Sequence, residues 1–110
     1  MDWTKEFPAS ILMCDNNGIV AEMNEKAAAT FADDGGYALI GKNLFECHTA
    51  VSNEKIKEIM DQKKPNIYTI EKKGIKKLIY QSPWFENGEM KGIVELSLEI
   101  PFDMPHFIRE

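Results

Sequence analysis

The chain has 110 residues, 44% of them hydrophobic, and a net charge of −5. That suits one domain with one ordinary core, and the acidic balance argues against nucleic-acid binding. No apolar run reaches the length of a membrane span, no signal-peptide pattern opens the chain, and Cys14 and Cys47 lack zinc-site or disulfide-framework spacing, which fits a reducing cytosol.

Residues 1–9 read as a docking segment. Trp3 and Phe7 stand four apart and would share one face of a helical turn, while Pro8 favours extended backbone at Phe7. Two aromatics there call for a surface, either the outer face of the chain's own sheet or a dimer partner. Ile11-Leu12-Met13-Cys14 is an apolar run, Asp15-Asn16-Asn17-Gly18 a turn, and Ile19 to Met23 a second run, which together predict a hairpin. Asn24 caps a short helix of Glu25, Lys26 and three alanines ending near Phe31. Asp33-Asp34-Gly35-Gly36 stops it. Tyr37 to Ile40 and Gly41 to Phe45 read as short helical turns.

Ser52 predicts the start of a better helix, with Val51 and Ile56 placed as a hydrophobic staple. Ile56, Ile59 and Met60 form its apolar stripe, and Pro65 fits a stop near Lys63. The last third predicts a three-stranded meander. Its runs are Ile67–Glu71, Ile75–Phe85 and Met90–Ile100, and its turns are Lys73-Gly74 and Glu86-Asn87-Gly88. In the last run Val94, Leu96, Leu98 and Ile100 alternate with Glu95, Ser97 and Glu99. In the middle run Leu78, Tyr80 and Trp84 oppose Ile75, Ile79 and Phe85. The alternation places Ile11, Met13, Leu78, Tyr80, Val94, Leu96 and Leu98 in the core, with Phe31, Leu44, Ile56 and Ile59. The second apolar face of the sheet would need covering by a terminus or a second subunit. The order of elements is α+β: a five-stranded antiparallel sheet with short helices on one face. The core spans residues 10–100, and 101–110 form a proline-broken tail.

At this point the sequence resembles a PAS domain. The residues that carry the resemblance are Asp15-Asn16-Asn17-Gly18-Ile19-Val20, then Asn24 with Ala27-Ala28, then Gly41-Lys42-Asn43-Leu44-Phe45-Glu46, and the meander with Gly88 and Gly92. The resemblance covers Ser10 to Ile100. It implies a cytoplasmic sensory or interaction domain of bacterial style, with a hollow between sheet and helices. The light-sensing flavin branch has a cysteine directly after its Gly-x-Asn, where this chain has Leu44, so flavin photochemistry is not expected. Ile100-Pro101 breaks any outgoing helix, so output is expected through a signalling partner in trans or through a homodimer.

Within that frame the leading expectation is a small apolar or amphipathic ligand between the stapled helix and the meander. Phe45, Ile56, Met60 and Leu96 would supply wall, and His48 and Tyr80 orientation. The alternative is a ligand-free interaction module. A further alternative is a haem sensor using His48, since a neutral imidazole is a common haem ligand. The sequence itself favours a loop histidine capping a carbonyl over that role. Catalysis has no support, for there is no nucleophile elbow, phosphate-binding glycine loop or zinc-protease motif.

Overall fold

The computed structural model describes residues 2–44 and 50–110, with the side chains of 50–53 outside that description. Five antiparallel strands form one sheet in the order β2-β1-β5-β4-β3. They are β1 (Ser10–Asp15), β2 (Val20–Met23), β3 (Asn66–Lys72), β4 (Ile75–Glu86) and β5 (Glu89–Ile100). Helix α1 (Glu25–Thr30) follows β2, two 3-10 turns follow at Ala32–Asp34 and Gly36–Leu39, and helix α2 (Ala50–Gln62) precedes the meander.

Turn chemistry fixes the hairpins. Asp15 Oδ1 accepts from the backbone N–H groups of Asn17 at 2.9 Å and Ile19 at 3.0 Å, which closes the β1–β2 turn. Asn87 and Gly88 both take positive φ, 54° and 80°, the geometry a two-residue hairpin needs. Lys73 and Gly74 do the same between β3 and β4. Residues 41–43 differ from the helical turns their sequence predicts, whereas Leu44 is helical. Backbone bonds join Val20 N–H to Lys42 O, Gly41 N–H to Val20 O and Leu44 N–H to Gly18 O, so this segment runs beside the start of β2. Helix α2 begins at Ala50, so Ser52 is inside the helix and is not its cap.

The sheet faces are the reverse of the ones its alternation suggests. Leu12, Cys14, Val20, Ala27, Leu44, Ile56, Ile59 and Ile93 make the buried cluster, with Met23, Phe31, Met60 and Met90 packed against it. Strand register therefore assigns Ile79, Gln81 and Pro83 of β4 and Ile93, Glu95 and Ser97 of β5 to the face under the helices, and the bulge at Trp84–Phe85 shifts the phase so that Met90 joins them. Ile11, Met13, Leu78, Val94, Leu96 and Leu98 lie on the other face, half-buried, and Tyr80 beside them is exposed. At dilute, monomeric concentration Ile93→Ala is expected to cost roughly 2–5 kcal/mol and Leu96→Ala about 1 kcal/mol or less. Urea unfolding of both variants checks the order.

Candidate functional site

The inner face combines apolar floor with a polar row. Leu12, Cys14 and Ile93 come from the central strands, and Ile56 of α2 and Leu44 close over them. One register step along, Asn66 of β3, Gln81 of β4 and Glu95 of β5 stand side by side. The Asn66 amide donates to Gln81 Oε1 at 3.0 Å, and the Gln81 amide donates to Glu95 Oε1 at 2.7 Å. Gln81 is buried, and Glu95 makes no ion pair among the described residues. A carboxylate turned toward a helix layer without a cation is expensive unless hydrogen bonds satisfy it. Here the Gln81 amide satisfies one oxygen. Tyr68 of β3 pairs with Ile79 on the same face. The residue is exposed overall, but partial burial raises its phenol above the ordinary value and the Glu95 carboxylate adds to the shift. Burial likewise pushes the Cys14 thiol up, which keeps it a neutral wall group.

The described residues enclose only about 10 Å³ of free space here. That is at the lower limit for a single water. Helix α2 covers the floor through Ile56 and Ile59, both almost fully buried.

Of the residues singled out by sequence, Ile56 faces this hollow and Met60 packs beside it, half-buried. Phe45 and His48, with Cys47, lie outside the described residues. Tyr80 and Leu96 are a correction. They pair with each other across β4 and β5 on the outer face, one position out of phase with Gln81 and Glu95. They cannot reach a ligand held under α2. Sequence reasoning missed Asn66, Gln81 and Glu95, because polar residues alternating with apolar ones ordinarily mark the solvent side. The signal available was the pair Ile93-Val94 and the run Ile11–Cys14, which are apolar on both faces.

The outer face is open. A cavity of about 550 Å³ lies over Ile11, Met13, Val94 and Trp84, rimmed by Thr4 and Lys5. Trp3 and Phe7 do not line it. Their rings meet edge to face, centroids 5.5 Å apart, and both are exposed. The indole N–H of Trp84 is buried and has no acceptor among the described residues.

This sheet order, with its helices on one face, is the PAS fold. The C-terminal domain of a Streptococcus mutans protein superposes with a TM-score of 0.72 at 16% identity, over 87% of this chain and 78% of that one. A sensory box sensor histidine kinase from Vibrio cholerae gives 0.67 at 14% identity, over 88% and 86%. The Aer2 receptor from Vibrio cholerae, described as a dual PAS-heme oxygen sensor, gives 0.64 at 18% identity, over 84% and 95%. No family model and no curated protein matches the chain. Among the described residues no helix is long and apolar enough to cross a membrane, and no group of His, Cys, Asp and Glu could hold a metal ion.

Proposed function

We propose that this PAS-fold domain is a non-catalytic cytoplasmic sensor. A small amphipathic molecule binds on the inner sheet face under α2, and the outer face passes the signal to another protein, first of all a second copy. The observation that carries this reading is the inversion of the sheet, with hydrogen-bonding groups turned toward the helices and a broad apolar face turned out. A core built only for stability would place those groups the other way. Ile56, Ile59 and Met60 supply apolar wall. The second Glu95 oxygen and the Tyr68 O–H supply orientation, which suits a ligand bearing an N–H or O–H donor beside an acceptor. Insertion lifts α2, and that displacement is the signal. Similar structures carry the names of sensory proteins, including one described as a heme oxygen sensor. The haem alternative for this chain rests on His48 alone, outside the described residues, and a visible absorption band would reveal it.

The near-closed hollow favours a second reading, a ligand-free interaction module. Native mass spectrometry of the gently purified chain separates the two. The expected result is a retained small-molecule mass that is lost in Gln81→Leu. A bare chain mass, with Gln81→Leu as stable as the parent or more so, would favour the interaction module.

A further inference from the structure

We infer that two copies of this chain exchange their C-terminal tails, each tail (101–110) lying across the outer sheet face of its partner. The inference rests on the output half of the proposed function and is independent of the ligand half. Two apolar surfaces of one chain lack cover. On the tail, Phe102, Met104, Phe107 and Ile108 are 51 to 83% exposed. On the sheet, Ile67 and Tyr80 are exposed beside half-buried Ile11, Leu96, Leu98 and Val94. An apolar patch this broad on a soluble chain marks an interaction site.

The tail does not turn back on its own sheet. Pro101 directly follows β5, which ends at Ile100, and Pro105 stands mid-tail. Each proline fixes its own φ and keeps the preceding residue extended, the chain bends at Phe102 and Asp103, and residues 104–110 run on as an irregular strip. Such a strip carries free carbonyls and, at its prolines, no N–H. The outer face offers the complement, an open 550 Å³ cavity beside Trp84, whose indole N–H lacks an acceptor. Apolar side chains in the cavity, and a tail carbonyl met by a tilt of the indole, fill both needs. Aromatic grooves that bind proline-containing strips work the same way.

The four exposed apolar residues of the tail and the apolar residues of the face would all be covered in such an exchange. Exchange about a two-fold axis uses both surfaces of both chains and closes the assembly at two.

Sedimentation equilibrium of the full chain and two variants tests this. The tail variant carries Phe102→Ser, Phe107→Ser and Ile108→Ser, and the face variant carries Ile67→Lys and Tyr80→Glu. All five positions are exposed, so melting temperatures at dilute, monomeric concentration should stay within about 4 °C of the parent. The expected result is a dimeric parent and a dimer Kd at least about 100-fold weaker in each variant. An equal mixture keeps one intact contact per pair, a sound tail on a sound face, so it should associate at least about 10-fold more tightly than either variant alone. A parent monomeric at 100 micromolar would overturn the inference, as would a tail variant of unchanged Kd, or a mixture no tighter than its components. The last two would point to a face-to-face dimer without the tail. A tail-exchanged dimer that retains no small molecule would remove the ligand reading and leave this one standing.

Discussion

Replacing Asn24 by alanine is expected to destabilise the domain by roughly 3–5 kcal/mol, and replacing it by aspartate should not rescue it. Asn24 is almost fully buried and joins three parts of the chain. Its Oδ1 accepts from Ala27 N–H at 2.9 Å, which caps α1, and from Ile11 N–H at 3.0 Å in β1. Its amide donates to Thr4 O at 2.9 Å and Ala9 O at 2.8 Å, and more weakly to Phe7 O at 3.4 Å, which ties down the N-terminal segment. An N-cap alone contributes about 1 kcal/mol, and aspartate caps as well as asparagine does. Aspartate here keeps the cap but turns a second acceptor oxygen toward three carbonyls. Thermal melting distinguishes the roles, since roughly 4 °C is lost per kcal/mol in a domain of this size. An Asn24→Asp protein melting with the parent would reduce Asn24 to a cap.

Gly92→Ala should cost roughly 3 kcal/mol or more. Gly92 sits opposite Trp84 on β4 and Asp15 on β1, at the bulge between β4 and β5. Its φ is +155°, and an added Cβ would collide with the Cys14 carbonyl oxygen and lie 2.9 Å from Asp15 Cα. Neither neighbour is a flexible side chain, so the β1–β5 ladder would have to part at its Asp15–Gly92 end. Gly88 is the control. Its φ is +80°, but a Cβ there meets nothing within 4 Å, so Gly88→Ala should lose only about 1 kcal/mol from backbone strain. Equal losses at the two sites would remove the close-approach account.

The order of elements was legible because its signals are local. Asn87-Gly88 and Asp15 to Gly18 specify turns, Asn24 specifies a helix start, and the stripe of Ile56, Ile59 and Met60 specifies a buried helix face. The face assignment was not legible, because alternation states only that two sets of residues point apart. Val94, Leu96 and Leu98 carry the stronger apolar signal, so they appeared to belong to the core. The helices instead cover Ile93, Glu95, Ile79 and Gln81. What decides it is the partner on each face, set by where α1 and α2 pack and not by the strand itself. The polar row could not be found from one strand either. Asn66, Gln81 and Glu95 are separated by long stretches of sequence and meet only through the register of β3, β4 and β5. Residues 41–43 depart from the helical expectation for a related reason, since their pairing with Ile19 and Val20 is long-range and local propensity does not encode it.

The proposed sensor takes its ligand on the inner face. Proton–nitrogen NMR reads both faces at once through the side-chain amides of Asn66 and Gln81 and the indole N–H of Trp84. Spectra of the chain as purified, and after mild unfolding and refolding to strip any retained molecule, should differ. The expected result is a large shift of the Asn66 and Gln81 amides with the Trp84 signal unmoved. A Trp84 signal that moves while the Asn66 and Gln81 amides stay fixed would contradict the account and place the ligand on the outer face.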